Sequence, residues 1–478
     1  MKAIASGAWW TPDLPDLRIP GTLYRTAEGW RLDLVGTLMV NVGGGDGLAL
    51  EPLQAIHGTC LGVSYSLQDC FLLSAPAPTE FGLRTAAEDT QHADQHQMIW
   101  HVTTVLTGTN NSADALYAGA SFEITGLSQW WPSSGLRGLG AVPSSRSYVE
   151  PEPLIATCSD GLTVTVGVRT KRRGGHRMRS IAETVTIWVT HEDGFTQETL
   201  YERAIAPLRT LLAIALDQPA EVFGLQLQSL DGGGPPTYGI RVDPVDASTE
   251  EQLRTRQVFA PVFTARSFDM SVFIPQWLDL ARTCRIPMDE AEPRVSAAQL
   301  QTQVVQTVSA AETLHRILHP VETAAPAQLP DLAERAAEAL RATGDFNSRE
   351  VRKVRAALSY TAVTLEARLR ELAEELGEGV ADWLCDGRVG VWAFVAMHVR
   401  NILAHGYAKN HDVEKDPAAL LAILHVTQAI LRLRLLVAAG APSNADLLRL
   451  LQAHRGYSGI AGQALVDWDD LNARIQAG

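Results

Sequence analysis

Residues 389–407 are the most informative residues for the fold of the C-terminal part of the chain. They read Val389-Gly390-Val391-Trp392-Ala393-Phe394-Val395-Ala396-Met397-His398-Val399-Arg400-Asn401-Ile402-Leu403-Ala404-His405-Gly406-Tyr407. The apolar first half indicates a helix buried in a core. Arg400 and Asn401 then interrupt the apolar run, and His405 follows Asn401 by one helical turn on the same face. Because glycine is typical just beyond the last helical residue, Gly406 predicts that the helix ends at His405.

Arg400, Asn401 and His405 are suited by chemical type to the cleavage of a phosphodiester bond. Histidine side chains titrate near neutral pH, so His405 can transfer protons. Arg400 can donate two parallel hydrogen bonds to phosphate oxygens, and Asn401 can orient the imidazole or donate to the phosphate. The alternative is structural, since an Arg and a His near a helix C-terminus also complement the helix dipole. Two copies related by a twofold axis would supply two histidines, one as base and one as acid.

Alternation of apolar and polar residues predicts a mostly β region from residue 20 to about 265. Thr22 to Thr37 predicts a hairpin that turns at Glu28-Gly29 and places Trp30, Leu32 and Leu34 on one face. We predict further strands at Met98 to Leu106, Leu162 to Val168, Val185 to Val189 and Phe223 to Leu227. One helix, from about Thr196 to Leu216, interrupts this region.

The region from about residue 275 predicts a helical bundle. Asn347 to Glu350 has the pattern of a capping box and opens a predicted helix that continues to Gly377. Asp416-Pro417 opens another, which runs to Gly440. The fold class is therefore α+β, with one or two β lobes followed by an all-α bundle. We place the domains at 1–270, with a sub-boundary near 150, and at 271–455, followed by a C-terminal tail at 456–478.

Two basic segments stand out in a chain whose formal net charge is −14. Lys171, Arg172 and Arg173 precede Gly174-Gly175, a good hairpin turn, and would present cations to RNA or to an infection-derived trigger. Arg349, Arg352, Lys353 and Arg355 form a second cluster, which would line an RNA groove if its helix flanks the motif helix. Solvated surface is the alternative for both. The acidic balance disfavours indiscriminate binding of nucleic acid and favours a selective RNA substrate.

The remaining composition gives no sign of a metal, a cofactor or a membrane segment. Five scattered cysteines without a C-x2-C pair predict neither a disulfide framework nor a zinc site. The first residues lack the apolar core of a secretory signal, and we find no run of 18 apolar residues. We therefore expect a cytoplasmic protein with no metal and no cofactor.

The pattern Arg400-Asn401-(x)3-His405 resembles the signature of HEPN domains, which are helical nucleotide-binding and ribonuclease domains. Three upstream stretches resemble the N-terminal domain of ApeA-type anti-phage proteins, and Ala311 to Arg316 resembles the opening helix of the HEPN part of that family. The three stretches are Ala55-Ile56-His57-Gly58, Ser66-Leu67-Gln68-Asp69-Cys70, and Phe122-Glu123-Ile124 running to Trp130. The resemblance covers most of the chain, in the order of a β-rich front and a helical back.

This resemblance implies a metal-independent endoribonuclease that cleaves host RNA, with tRNA as a reasonable target, in an abortive response to infection. It assigns catalysis to Arg400, Asn401 and His405, control to the N-terminal domain, and activation to a phage-derived trigger. We expect a homodimer through the helical domain. One alternative is a non-catalytic HEPN module for dimerisation or nucleotide binding. With Tyr407 the motif also resembles HepT toxins, in which a partner enzyme modifies this tyrosine. Tyr407 is otherwise a packed or phosphate-contacting residue.

Overall fold

The computed structural model describes most of the chain, in seventeen segments. These are residues 1–36, 38, 52–74, 97–112, 114–137, 147–175, 178–230, 239–245, 247–256, 260–293, 298–320, 329–359, 363–377, 379–406, 412–443, 445–462 and 466–477. The chain divides into two compact units. The first comprises Met1–Arg209 and Ala220–Gln257, and the second comprises Thr210–Pro219 and Val258–Gly478. The α+β fold class, with a β-rich front and a helical back, is confirmed; the predicted domain bounds at 150, 270 and 455 stay predictions.

The first unit is built on a twelve-stranded antiparallel sheet, part of which closes into a barrel. The strands are β1 (Lys2–Trp10), β2 (Ile19–Thr26), β3 (Gly29–Val35), β4 (Leu53–Cys60), β5 (Val63–Ser74), β6 (Gln97–Thr107), β7 (Tyr117–Ile124), β8 (Leu136–Arg137), β9 (Ser147–Tyr148), β10 (Leu154–Thr157), β11 (Thr163–Gly175), β12 (Met178–Phe195), β13 (Val222–Ser229) and β14 (Ile240–Val242). The sheet order is β10-β11-β12-β7-β13-β14-β6-β3-β2-β1-β4-β5, and β8 pairs with β9 separately. Because β5 also pairs with β6, strands β1 to β6 form a closed six-stranded barrel.

The barrel core is rich in tryptophan. Trp9, Trp30 and Trp100 are fully buried inside it, together with the inward-facing leucines of β2 and β3. The predicted β2–β3 hairpin is confirmed and places Trp30, Leu32 and Leu34 in the core, although Gly29 already pairs with Thr26 as the first residue of β3. Gly58 of β4 lies directly against the Trp9 ring, where a β-carbon would stand 2.2 Å from a ring atom, so only glycine fits there.

Strands β11 and β12 form a long hairpin. Their pairing runs from Thr163 opposite Thr190 to Gly175 opposite Met178. The predicted turn at Gly174-Gly175 is therefore wrong, because both glycines belong to β11. Glycine dipeptides are also compatible with extended backbone, and the cross-strand pairing continued past them.

The helices complete the first unit and build the second. They are α1 (Leu127–Trp130), α2 (Gln197–Leu200), α3 (Ala206–Leu216), α4 (Ala247–Thr255), α5 (Met270–Thr283), α6 (Arg285–Ala291), α7 (Leu300–Leu318), α8 (Leu329–Thr343), α9 (Ser348–Ser359), α10 (Leu365–Glu374), α11 (Val380–Leu384), α12 (Val389–His405), α13 (Pro417–Ala438), α14 (Ala445–Ala453), α15 (Arg455–Gly462) and α16 (Trp468–Ala477). A π-helical turn at Tyr201–Ile205 joins α2 to α3, and a 3₁₀ turn at Val413–Lys415 precedes α13. The predicted helix from Thr196 to Leu216 is thus present, with Thr196 as its N-cap.

Two helix starts in the second unit were predicted correctly, and one helix was not. Asn347 and Glu350 form the capping box, since the Asn347 side chain accepts from the Glu350 amide at 3.0 Å and the Glu350 carboxylate accepts from the Asn347 amide at 2.9 Å. Asp416 caps α13, with Pro417 at its first position. The single helix predicted for residues 347–377 is wrong. It is two helices, because the hydroxyl of Thr364 caps a new helix, α10, by accepting from the Ala367 amide at 3.2 Å.

The core of the helical unit is built around α13. This helix is long and apolar enough to cross a membrane by length and composition, but 78% of its most apolar window is buried inside the structure, as in a core helix. The residues after 455, treated as a tail from the sequence, contain two further helices. In α16, Trp468, Leu471 and Ile475 are buried, and this helix packs against the motif helix α12.

Candidate functional site

The motif helix α12 ends where the sequence predicts. Its last residue is His405, and Gly406 follows with φ 65° and ψ 28°, a left-handed conformation in which its amide donates to the Ile402 carbonyl at 2.8 Å. Glycine adopts this conformation without the steric penalty of a β-carbon. Val399 and Ile402 anchor the same turn in the core. His405 is thereby presented at an exposed helix end.

Arg400 is held against helix α7. Its Nε donates to the Ser309 hydroxyl at 3.4 Å, and its Nη2 lies 3.8 Å from the Glu312 carboxylate. The side chains of Arg400 and Glu312 are 22% and 16% exposed, so this pair is half-buried yet open on one side. The two contacts hold the guanidinium, but they are not a close bidentate ion pair that would occupy its N–H donors. Among the described residues, no carboxylate forms a bidentate pair with Arg400.

Asn401 contacts Arg400 rather than standing apart from it. Its Oδ1 accepts from Arg400 Nη1 at 3.1 Å, and its Nδ2 lies 3.2 Å from the Met397 sulfur one turn earlier. From the sequence, the Asn401 side chain is predicted to orient the imidazole or to contact the phosphate. In the structure the amide instead helps to orient the guanidinium. The structure thus joins Arg400 and Asn401 into one unit and places His405 one turn further along the same helix.

Ser309 and Glu312 are site residues that the sequence reasoning missed. Both lie on one face of α7, at positions i and i+3, and Glu312 also accepts from Arg316 at 2.6 Å. Glu312 falls inside the stretch Ala311 to Arg316 that resembles the opening helix of HEPN domains. That resemblance was the available signal, but nothing in the local pattern assigned the carboxylate to Arg400.

A buried polar network fixes α7 against its neighbours. His315 Nε2 lies 2.8 Å from a Glu371 carboxylate oxygen, and His319 Nε2 lies 2.9 Å from Glu375. Glu375 also accepts from Arg434 of α13. Burial lowers the pKa of the Arg434 guanidinium, while the Glu375 charge opposes that change. The partners of Arg400 are therefore carried by a helix that is also packed against α10 and α13.

The chain that leaves the motif helix is held by α16. Arg474 donates to Asp412 at 2.9 Å and to Asp416 at 3.0 Å, so it bridges the two ends of the 3₁₀ turn. Hydrogen bonds from Arg474 hold the pKa of both carboxyl groups below the usual value for aspartate. At the start of the motif helix, Arg388 donates to Asp469 at 2.8 Å. Helix α16 thus braces the start of α12 and the 3₁₀ turn that precedes α13.

The basic residues singled out in the sequence lie in three settings. Lys171 and Arg172 are exposed on β11, whereas Arg173 pairs with Ser180 through the backbone and its side chain lies outside the described residues. Arg349, Arg352 and Lys353 are exposed on α9. Among the described residues the main packing partner of α9 is α8, whereas α10, the second half of the single helix predicted from the sequence, packs against the motif helix. The RNA-groove role of the cluster stays a prediction. The Tyr407 hypothesis lies outside the described residues.

Two cavities lie away from these residues. One, of about 230 Å³ in the helical unit, is lined by Asp217, Thr307 and Arg432 among others. The other, of about 390 Å³ in the first unit, contains Glu123 and Arg254, which form two hydrogen bonds of 2.8 Å with each other. Among the described residues no group of three or more His, Cys, Asp or Glu side chains is arranged to hold a metal ion. The motif on α12 remains the candidate site.

Comparison with protein families agrees with this architecture. The family model for ApeA N-terminal domain 1 matches residues 5–255, more than half of the chain, and the model for Apea-like HEPN matches residues 305–445. The chain belongs to the ApeA family of HEPN proteins. As an ApeA-like protein it is an anti-phage HEPN protein, and HEPN domains are commonly ribonucleases. Comparisons with curated proteins and with solved structures found no match.

Within this ApeA-like chain, the Apea-like HEPN match contains the whole motif helix and most of its support. Arg400, Asn401, His405, Ser309 and Glu312 all fall inside it. Helix α16 falls outside it, although it braces the motif helix from one side. The N-terminal match includes the closed barrel and the β11–β12 hairpin. The recognition from the sequence is therefore confirmed for both parts.

Proposed function

We propose that this protein is a metal-independent endoribonuclease that acts as the toxin of an abortive-infection system. The observation that carries the proposal is the geometry at the end of α12. An exposed histidine at a helix terminus follows, five residues along the same helix, an arginine that contacts α7 and is partly exposed. This arrangement offers a proton-transfer group and a phosphate-binding cation to the same substrate, with room for a polymer.

The chemistry is a transesterification within the RNA strand. The neutral imidazole of His405 removes the proton from a ribose 2′-hydroxyl, whose oxygen then attacks the adjacent phosphorus. Arg400 donates to the non-bridging oxygens and stabilises the charge of the pentacoordinate transition state. The bond to the 5′-oxygen breaks, and that oxygen takes a proton from an imidazolium. The products are a 2′,3′-cyclic phosphate and a 5′-hydroxyl, which balances atoms and charge.

Efficient catalysis by this route uses one imidazole as base and a second as acid. We therefore propose a homodimer through the helical domain, in which two copies of the motif converge on one cleft. The substrate is host RNA, with tRNA as the working target. In the resting protein the N-terminal domain controls the nuclease, and a phage-derived trigger releases it. The protein acts in the cytoplasm, where its RNA substrate lies.

The deciding experiment compares His405→Ala with His398→Ala. His398 lies on the same helix, where its ring stacks against Phe394 at 5.7 Å. Losing a general acid or base lowers the rate roughly 10²- to 10⁴-fold, so His405→Ala should lose cleavage of purified tRNA and toxicity in cells, and Arg400→Ala should do the same. His398→Ala should keep most of the activity. A His405→Ala protein that folds and cleaves RNA at the wild-type rate would show that the proposed site is wrong, and a wild-type protein that does not cleave RNA would favour the non-catalytic module.

A further inference from the structure

Three cations occupy one exposed face at the start of helix α9. Arg349, Arg352 and Lys353 stand at positions i, i+3 and i+4, which lie on the same side of a helix. All three are exposed. The helix begins at Ser348, so the cluster covers its first two turns. We call these three residues the α9 cation face.

The α9 cation face differs from other exposed arginines in lacking carboxylate partners. Arg256 pairs with Glu221 at 2.8 Å, Arg282 with Asp279 at 3.7 Å, and Arg449 with Asp446. Arg355, three residues after Arg352 on the same helix, pairs with Glu334 at 2.7 Å, but within the part of the chain that the structure describes no carboxylate forms an ion pair with Arg349, Arg352 or Lys353. The nearby Glu350 carboxylate accepts from the Asn347 amide in the capping box. These cations therefore lack internal neutralisation in an acidic protein.

The position of the cluster opposes the local stability of the helix. The N-terminus of a helix carries a partial positive charge, which disfavours cations there. Like charges three and four residues apart destabilise a helix further. The capping box from Asn347 and Glu350 holds the start of α9 in spite of this. These cations destabilise the first turns of α9, and binding of a ligand by the cations explains their presence there.

An exposed aromatic side chain adjoins the α9 cation face. Phe346 is 45% exposed in the turn between α8 and α9, three residues before Arg349. Aromatic rings at the edge of a basic surface stack on unpaired bases, while the cations contact the phosphates. A protein partner would instead require a larger patch with several apolar anchors. The combination of three unneutralised cations and one aromatic ring fits single-stranded nucleic acid better.

We infer that the turn between α8 and α9, with Phe346 and the α9 cation face, is an RNA-binding surface for unpaired segments of the substrate. This inference rests on the proposed function, because it takes RNA as the substrate. Arg349, Arg352 and Lys353 contact the phosphates, and Phe346 stacks on a base. The surface belongs to the same helical unit as the motif helix but is separate from the catalytic residues.

The test measures RNA binding in a protein that cannot cleave. His405→Ala serves as the background, and the probe is a fluorescein-labelled RNA hairpin with an unpaired loop. Arg349→Gln, Arg352→Gln and Lys353→Gln together should weaken binding at least tenfold at 0.1 M salt. Since each phosphate contact on a single strand contributes about 0.7 to the slope of log K against log salt, the slope should fall by about 2. Phe346→Ala should weaken binding roughly tenfold without changing the slope.

Two controls accompany the α9 triple variant, and the first matches its change of charge. Arg256→Gln, Arg282→Gln and Arg449→Gln together remove three cations that have carboxylate partners, and binding should stay within about twofold. Lys171→Gln with Arg172→Gln tests the rival basic segment on β11. The α9 triple variant should keep or raise its melting temperature, because it removes like-charge repulsion. A loss of binding therefore cannot be assigned to unfolding.

The outcomes separate this inference from the proposed function. If the α9 triple variant binds with unchanged affinity and slope, or if only the β11 variant loses binding, the inference is wrong. A triple variant that loses toxicity while retaining RNA binding would indicate a protein partner and would also overturn it. If binding is lost as expected but the wild-type protein never cleaves RNA, the surface stands and the catalytic proposal fails.

Discussion

The guanidinium of Arg400 on α12 lies 3.8 Å from the carboxylate of Glu312 on α7. This pair joins the motif on α12 to a helix far away in the sequence, and both side chains are partly exposed. A carboxylate at this distance fixes the direction of the arginine while leaving its donors for a phosphate. Glu312 is therefore a positioning residue, and its removal should affect catalysis more than folding.

We expect Glu312→Gln to lower kcat roughly 10- to 100-fold, the range that follows from a catalytic group displaced by about 1 Å. The KM for RNA should change little. Combining Glu312→Gln with Arg400→Ala should give no further loss beyond Arg400→Ala alone, because the two residues act together. Gln301→Ala, an exposed change on the same helix α7, is the control. Additive losses in the double variant would show that Glu312 acts independently of Arg400.

The chemistry at the cleaved ends tests the transesterification. Cleavage should continue in EDTA and should leave a 2′,3′-cyclic phosphate or its 3′-phosphate product together with a 5′-hydroxyl. Polynucleotide kinase labelling of the 5′ ends without prior phosphatase treatment checks this directly. A strict requirement for Mg²⁺ or Mn²⁺ would contradict the assigned role of His405.

The proposed homodimer predicts how much cleavage activity remains when wild-type and inactive subunits are mixed. When wild type and His405→Ala are co-expressed in equal amounts, random pairing leaves about one quarter of the dimers with two histidines. If both imidazoles are needed, the activity should fall to about one quarter of the all-wild-type value, whereas simple dilution gives one half. Analytical ultracentrifugation establishes whether a dimer forms at all. A fully active monomer would rule the arrangement out.

The bridge from Arg474 to Asp412 and Asp416 predicts a dependence of stability on pH. Hydrogen bonds from Arg474 lower the pKa of both carboxyl groups. A carboxyl group with a lowered folded-state pKa adds stability above its unfolded pKa of about 4, and this is lost as pH falls through the lowered value. Arg474→Gln should therefore be less stable than wild type at pH 7, and the difference should narrow between pH 5 and pH 2. Urea unfolding at several pH values, with Arg370→Gln as control, measures it.

The features that were predictable from the sequence are local ones. The capping box at Asn347 and Glu350, the start of α13 at Asp416-Pro417 and the end of α12 at Gly406 each depend on residues within one turn of each other. The β2–β3 hairpin is local in the same sense. These elements were predicted with bounds that differ from the structure by up to three residues.

The features that were missed depend on residues that are distant in the chain or on competing local signals. The apolar stripe from Val351 to Leu376 continues through the break before Thr364, so periodicity alone predicted one helix instead of two. Ser309 contacts Arg400 across 91 residues, and a single sequence has no pattern that specifies such a pairing. The closure of the barrel through β5 and β6 is non-local in the same way. The roles of Arg400, Asn401 and His405 remain predictions that the experiments above test.

Barrel closure has a consequence for self-association in the first unit. Pairing of β5 with β6 removes one end of the twelve-stranded sheet as a site where another chain can add a strand. The β11–β12 hairpin does the opposite. Among the described strand pairs, β10 covers β11 only up to Val166, and β7 covers β12 only from Ile187 onward, so both outer edges of the hairpin lack a neighbouring strand. Lys171 and Arg172 lie on β11, at one of these edges. When two molecules approach edge to edge, these cations repel those of the other molecule. This repulsion opposes the addition of a strand and the fibrous aggregation that would follow.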